Sequence, residues 1–85
     1  MENNNKKVLK FSASWCQPCK MLAANLKEIK TDVSIEEIDI DEKPELASQY
    51  GIRGVPTMLI LQGDTVVSRL VGAKSKTEIE RWLNA

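Results

Sequence analysis

Two cysteines, Cys16 and Cys19, stand three residues apart in the segment Trp15-Cys16-Gln17-Pro18-Cys19-Lys20, and the chain contains no other cysteine. Positions i and i+3 lie on one face of a helix, so the two sulfurs can meet without unwinding the backbone. A disulfide that closes so short a loop stabilises a fold by only roughly 2 kcal/mol, against ~4.7 kcal/mol for a loop of a hundred residues. The spacing therefore favours reversible thiol-disulfide exchange over a structural crosslink.

The composition bounds the size and the partners of the protein. Its 85 residues, 42% of them hydrophobic, predict one small domain over residues 1–85, with residues 1–6 as a flexible N-terminal tail. The 12 basic and 12 acidic residues cancel and are interspersed along the chain. We therefore expect no nucleic-acid partner, and we expect the protein to be a monomer.

The N-terminus is polar and holds no apolar segment long enough for a signal peptide or a membrane span. We therefore expect a cytoplasmic protein that has no membrane partner. In a reducing cytosol, a lone Cys-x-x-Cys pair beside a β-α-β pattern indicates a catalytic or a metal-binding role. The chain has no histidine, which disfavours metal binding, and we expect no metal site.

The spacing of the apolar residues predicts seven elements in the order β-α-β-α-β-β-α. The first strand delivers the chain to the cysteines, and the helix that follows has Cys16 at its N-terminus. Gly51 is the predicted terminator of the second helix, and Ser75 with Glu78 fits a capping box for the third. These elements predict an α/β fold with a four-stranded mixed sheet covered by helices on both faces. The predicted strands cover residues 7–13, 33–40, 56–61 and 65–71, and the first helix covers about 17–31.

Three separated segments resemble the thioredoxin family: residues 15–21, which hold the cysteines, Tyr50-Gly51-Ile52-Arg53-Gly54-Val55-Pro56-Thr57, and Val71-Gly72-Ala73. The match covers about residues 7–85, and the joint occurrence of the three segments is far more specific than a lone Cys-x-x-Cys. The resemblance implies a thioredoxin-like fold in a minimal form, with the initial strand and helix of the family missing. It also implies a general protein thiol-disulfide oxidoreductase whose redox centre is the Cys16–Cys19 disulfide, with no bound cofactor.

By this resemblance, Cys16 is the nucleophile and Cys19 is the resolving thiol. Independently of the family, a helix N-terminus presents free N–H groups and partial positive charge, which stabilise a thiolate and lower the pKa of the cysteine there. We therefore expect Cys16 to be the more exposed and more reactive sulfur. The partners implied are client proteins that contain disulfides and a separate reductant, such as a thioredoxin reductase, that regenerates the dithiol.

The resemblance also implies a substrate-binding rim around the cysteines. Val55-Pro56 resembles the cis-proline turn of the family, which aims the Val55 backbone at the disulfide, where an extended client segment can pair with it. Two alternatives stay open at this point, since Pro56 can be an ordinary strand-start proline and Trp15 can be a core residue. The expected rim consists of Trp15, Gln17, Pro18, Ile52, Gly54, Val55, Pro56, Gly72 and Ala73.

Lys10 lies in the middle of a strand that is predicted to be covered on both faces. Thioredoxins usually bury an aspartate there and often have a lysine at the position of Glu37, so this sequence exchanges the two charges. A buried ammonium needs a carboxylate or a route to water. Our hypothesis is that Lys10 and Glu37 form a partly buried proton-transfer pair that assists deprotonation of Cys19. In the alternative, Lys10 reaches solvent and Glu37 is a surface acid.

Three other functions are compatible with parts of the sequence. A glutaredoxin shares the fold but reacts with glutathione, and the Trp-Cys-x-Pro-Cys and Val-Pro-Thr segments favour thioredoxin over it. Two chains could together hold a metal ion or an iron-sulfur cluster, since two cysteines without histidine cannot complete a four-ligand site alone. A thioredoxin-like interaction subunit with incidental cysteines is the third, because a fold does not fix a function.

Overall fold

The computed structural model describes residues 6–85, and over these residues it contains seven elements in the predicted order. Of the predicted N-terminal tail, only Lys6 falls among the described residues, and it is the first residue of β1. Residues 1–5 lie outside them. The elements are β1 (Lys6–Ser12), α1 (Gln17–Lys27), β2 (Ser34–Asp39), α2 (Pro44–Gln49), β3 (Thr57–Gln62), β4 (Thr65–Val71) and α3 (Lys76–Asn84).

The four strands form one mixed sheet in the order β2-β1-β3-β4, which confirms the predicted fold class. β1 and β2 are parallel, as the crossover through α1 requires, whereas β3 is antiparallel to both β1 and β4. The register places Lys10 of β1 between Glu37 on β2 and Met58 on β3. The charged side chain of Lys10 thus starts from the centre of the sheet.

The core lies on both faces of the sheet. On one face, Leu22 of α1 and Ile79 of α3 pack with Val8 and Met58. The opposite face packs against α2 and its flanks, where Phe11 of β1 lies beside Leu46 and Tyr50. The same cluster contains the strand residues Leu9, Ile38, Leu59 and Leu61. Side chains alternate between the two faces of a strand, so Lys10 and Ser12 lie on the same face as Val8, beneath α1.

Several boundaries differ from the sequence prediction, and most of them differ by one residue. α1 ends at Lys27 and not near residue 31, because the N–H groups of Glu28 and Ile29 bond to carbonyls three residues earlier and tighten the last turn. Ile29, two residues beyond this end, is still buried. Its apolar side chain continued the helical spacing in the sequence, so the helix was predicted to be longer than it is. β1 ends at Ser12, one residue before the prediction. Gly51, by contrast, has a φ of +66° after α2, as a glycine terminator should.

Candidate active site

Cys16 is the N-cap residue of α1, and a disulfide joins it to Cys19 in the first turn of the same helix. The two Cα atoms are 5.3 Å apart. The backbone N–H of Cys19 donates to the Cys16 sulfur at 3.1 Å, so one of the free donors of the helix N-terminus points at this atom. When the disulfide is opened, the same donor stabilises negative charge on the Cys16 sulfur, as does the positive end of the helix dipole.

The expectation that Cys16 is more exposed than Cys19 is wrong for the disulfide form. Both residues are only 4% exposed. The cause is the loop before β3, because the carbonyl oxygen of Val55 lies 3.8 Å from the Cys16 sulfur, and Ala13, Ile40 and Val55 pack around the pair. Neither sulfur therefore protrudes from the surface that these residues form.

The peptide bond between Val55 and Pro56 is cis, as the resemblance implies, and Pro56 is buried. This bond distinguishes Pro56 from an ordinary proline at the start of a strand. The backbone N–H of Gly72 donates to the Pro56 carbonyl at 2.9 Å, which joins the loop before β3 to the loop after β4. Gly72 adopts a φ of +97°, a conformation that favours glycine. The three segments that suggested the family thus meet at one end of the sheet.

Trp15 lies on the surface of this region and is 65% exposed, so the alternative that placed it in the core is wrong. Its indole Nε1 donates to Oδ2 of Asp41 at 2.9 Å, and this bond holds the ring at the end of β2. The other expected rim residues form a graded surface around the sulfurs. Gln17, Pro18, Gly54 and Ala73 are exposed, Ile52, Val55 and Gly72 are half-buried, and Pro56 is buried.

Lys10 is buried, with 5% of its surface exposed, and its Nζ lies 3.5 Å from Oε2 of Glu37. The Ser12 hydroxyl donates to the same carboxylate oxygen at 2.9 Å. Lys10 and Glu37 therefore form the predicted pair. The pair is only partly buried, because the Glu37 side chain is 64% exposed. The alternative in which Lys10 itself reaches solvent is wrong, because the ammonium remains below α1.

A cavity of about 260 Å³ adjoins both Glu37 and the buried Cys19. Cys19, Ser12 and Glu37 all line it, together with Ala13, Ser14, Lys20, Ala23 and Asp39. The cavity is large enough for several water molecules and offers polar groups to bind them. Cys19 lines this cavity, whereas Cys16, which faces Val55, does not.

Two residues of this region, Ser12 and Asp41, were missed from the sequence. Ser12 follows Lys10 by two positions in a strand, and this period of two was the signal that both side chains share a face. Asp41 follows the end of β2, next to the end of the parallel strand β1 that leads to Trp15. Adjacent parallel strands end at the same edge of a sheet, so that proximity was also readable.

Among residues 6–85, no three histidine, cysteine, aspartate or glutamate side chains are grouped so that they could hold a metal ion. Within the same range, no helix is long and apolar enough to span a membrane.

Comparison with known proteins agrees with this geometry. A family model described as Thioredoxin matches residues 1–85. A thioredoxin from Chlorobaculum thiosulfatiphilum is 39% identical over 88 residues, which cover 99% of this chain and 82% of that protein. A bifunctional thioredoxin reductase/thioredoxin from Mycobacterium leprae is 40% identical over 96% of the chain, which spans 19% of that protein. A solved structure of a mutant thioredoxin from Halobacterium salinarum superimposes with a TM-score of 0.88 at 33% identity, covering 98% of this chain and 75% of that one.

Proposed function

The chain belongs to the thioredoxin family and is a thiol-disulfide oxidoreductase, and we propose that it reduces disulfides in client proteins with Cys16 as the nucleophile and Cys19 as the resolving thiol. The observation that carries these two roles is the N-cap geometry. The Cys16 sulfur accepts the N–H of Cys19 at the positive end of α1, whereas the Cys19 sulfur is one turn inside the helix. A thiolate is therefore better stabilised at Cys16.

In the proposed reaction, the Cys16 thiolate attacks one sulfur of the client disulfide. A mixed disulfide forms between Cys16 and the client, and the other client sulfur leaves as a thiolate that takes up a proton. Cys19 then loses its proton and attacks the Cys16 sulfur, which restores the Cys16–Cys19 disulfide and releases the second client thiol. Two electrons pass from the dithiol to the client. The second step is fast because Cys19 is held within one helical turn of its target.

The surface around the disulfide supports an extended client segment as the substrate. Both sulfurs are nearly buried, so the client backbone has to lie in the rim formed by the residues from Trp15 to Pro18, the Val55-Pro56 loop and the Gly72 loop. We propose that the client pairs with the backbone of Val55, whose carbonyl oxygen is beside the Cys16 sulfur. The rim provides a complementary shape and apolar contacts. Hydrogen bonds to the client main chain do not depend on its side chains, so clients of many sequences can bind.

Lys10 and Glu37 are proposed to transfer the proton that Cys19 must lose. The Glu37 carboxylate lines the same cavity as Cys19, and the cavity can hold a water molecule between them. Lys10 and Ser12 both contact Oε2 of Glu37, which fixes the carboxylate on the face of the sheet beneath α1. A carboxylate held in this way can accept a proton through water and return it to solvent, because its side chain is largely exposed.

We propose a flavin-dependent reductase or an equivalent electron donor as the second partner. A relative at 40% identity is a bifunctional thioredoxin reductase/thioredoxin, which supports such a link for this chain. We further propose that residues 1–85 form one domain that acts as a monomer in the cytoplasm, where a reducing pool keeps the dithiol available. No cofactor beyond the cysteine pair is needed for this chemistry, and neither nucleic acid nor membrane is part of it.

The experiment that tests the two cysteine roles is reduction of insulin by the wild type and by the variants Cys16→Ser and Cys19→Ser. We expect turnover by the wild type with dithiothreitol as the electron source. Cys19→Ser should accumulate a covalent adduct with the client through Cys16, since its resolving thiol is missing. Cys16→Ser should form no such adduct. If Cys16→Ser accumulates the adduct through Cys19 and Cys19→Ser does not, the assignment is reversed. An inactive wild type would favour the interaction subunit.

A further inference from the structure

The loop between β4 and α3, residues Gly72–Ser75, is attached to its surroundings at both ends. At one end, the Gly72 N–H is bonded to the Pro56 carbonyl. At the other end, the Ser75 hydroxyl accepts the N–H of Glu78 and caps α3. Because Ala73 lies between these attachments and is exposed, the position of the loop decides where a client meets this part of the rim.

A third attachment joins this loop to the helix that carries both cysteines. The side-chain amide of Asn25 on α1 donates from Nδ2 to the Lys74 carbonyl at 3.0 Å. In the described part of the chain, this is the one side-chain hydrogen bond between α1 and the loop. Asparagine is a poorer helix former than leucine or alanine, so its place inside α1 has a local cost that the bond offsets.

Met21 lies one helical turn before Asn25 on the same face of α1. Its side chain is 64% exposed, and Pro18, three residues earlier, is exposed as well. The loop runs from Gly72, beside Pro56, to Lys74, beside Asn25. The loop therefore bridges the Pro56 segment and α1, and Ala73 lies between the two attachments. Ala73 belongs to the predicted rim, and the exposed Met21 adds to it an apolar residue that the sequence did not predict.

We propose that Asn25 is a positioning residue for client binding. Its hydrogen bond to the Lys74 carbonyl fixes the spacing between α1 and the loop, so that Met21 and Ala73 together contact an apolar side chain of the client near the disulfide under attack. The inference rests on the proposed exchange at Cys16 and adds to it a surface that selects among client proteins. A small disulfide without a polypeptide chain does not reach Met21 and gains nothing from this surface.

Asn25→Leu tests this inference, because leucine has the same number and branching of side-chain heavy atoms, favours a helix and lacks the donor. Reduction of insulin should show a KM about 5-fold higher with kcat unchanged, which corresponds to about 1 kcal/mol of lost client binding. The rate of reaction with dithiobis-nitrobenzoate, a small disulfide, should equal that of the wild type. Equal losses with insulin and with the small disulfide would overturn the proposal, as would an unchanged KM for insulin.

Ser68→Ala is the matched control. It removes the bond from Trp82 Nε1 to the Ser68 hydroxyl, which is 2.6 Å long and joins β4 to α3 on either side of the same loop. We expect it to leave the KM for insulin unchanged. A 5-fold increase in Ser68→Ala as well would mean that general loosening explains the effect, and the proposal would fail.

A second variant, Met21→Ala, tests the proposal even if Asn25→Leu folds poorly. Met21→Ala changes an exposed side chain, so it should raise the KM for insulin without changing the reaction with the small disulfide. In the Asn25→Leu background, the same change should add little, because the surface it belongs to is already displaced. Strictly additive effects, or no effect of Met21→Ala, would overturn the inference. Failure of the exchange itself would appear separately, as a wild type that does not react with the small disulfide.

Discussion

Lys10 shows how a single buried charge depends on its neighbours. An unpaired ammonium in the centre of a covered sheet is expensive, and here one oxygen of Glu37 lies within ion-pair distance of it. The Ser12 hydroxyl donates to the same oxygen, so three side chains of adjacent strands converge on one atom. Since Cys19 lines the cavity that this carboxylate also lines, the pair lies where a proton has to move during resolution.

Glu37→Gln tests the proton-transfer proposal. Glutamine keeps the shape of the side chain and can still accept the Ser12 hydroxyl, but it does not take up a proton. We expect resolution of a mixed disulfide to slow by up to roughly 100-fold, the lower end of the range for general base catalysis, and its dependence on pH to change. Stopped-flow release of a fluorescent client from the preformed mixed disulfide measures this step directly.

The charged groups near Glu37 are Lys10 of β1, whose Nζ lies 3.5 Å from the carboxylate, and Asp39 of β2 and Lys20 of α1, which line the same cavity. Lys10→Met should also change the pH profile, because it removes the ammonium that holds the carboxylate. Glu36→Gln is the matched control. Glu36 lies immediately before Glu37 on β2, points to the opposite face of the sheet, and pairs with Lys7 at 3.7 Å. Profiles that are unchanged in both Lys10→Met and Glu37→Gln, or changed equally by Glu36→Gln, would rule out the role.

At the same scale, the sequence predicted which residues would pair but not how exposed they would be. The pairing of Lys10 with Glu37 was predicted from the resemblance to the family, in which the two charges are exchanged, and the register of β1 and β2 places the two residues side by side. The exposure of Cys16 was predicted wrongly. It depends on the loop that carries Val55, which is distant in the chain and packs over the sulfur.

Among the elements, α3 begins with a complete capping box, which was readable from Ser75 and Glu78 in the sequence. The Ser75 hydroxyl accepts the Glu78 N–H at 3.2 Å, and a Glu78 carboxylate oxygen accepts the Ser75 N–H at 3.3 Å. Ser75→Ala removes the first of these bonds and should lower the free energy of unfolding by about 1 kcal/mol. For a domain of this size, the melting temperature should fall by roughly 4–8 °C, which calorimetry measures.

Ser75→Asp is the control for the cap. Aspartate accepts the same N–H and places negative charge at the positive end of the helix, so the melting temperature should remain close to that of the wild type. If Ser75→Ala and Ser75→Asp lose the same stability, the cap contributes nothing and the effect comes from the loop backbone.

α1 shows which features the local sequence predicts and which depend on residues that are distant in the chain. Its start was predicted because the apolar period of Leu22 and Leu26 follows the cysteines, whereas its end was placed too late because Ile29 continues that period beyond the last helical residue. The bond from Asn25 to the Lys74 carbonyl joins positions 49 apart, and no local pattern indicates it. Such contacts require the three-dimensional arrangement of the helix and the loop.

For the whole molecule, the fold class followed from few rules. Two strands linked by a helix must be parallel, a short turn makes a hairpin, and the apolar strands require cover on both faces. These rules do not give the strand order β2-β1-β3-β4 or the opposite faces on which Phe11 and Leu22 lie, and both come from the structure. The site then follows from topology, because α1 begins at the end of β1, where the loops before β3 and after β4 also lie.

The size of the core also predicts how the molecule responds to reduction. The Cys16–Cys19 disulfide closes a loop of one helical turn, and loop entropy gives it only roughly 2 kcal/mol of stabilisation. A domain is stable by about 5–15 kcal/mol, and the hydrogen bonds and the two apolar clusters of the sheet do not depend on the disulfide. We therefore expect the reduced protein to remain folded, with a free energy of unfolding lower by about 2 kcal/mol or less.

Urea unfolding followed by circular dichroism, in the oxidised protein and in the protein kept reduced with dithiothreitol, measures this difference as a shift in midpoint. The double variant Cys16→Ala, Cys19→Ala should unfold at the same urea midpoint under both conditions, because it has no disulfide for dithiothreitol to reduce. Unfolding of the wild type on reduction would mean that the disulfide holds the fold together. A folded dithiol is what exchange requires, since the reduced chain must still present Cys16 at the N-terminus of α1 and the Val55 loop beside it to receive the next client.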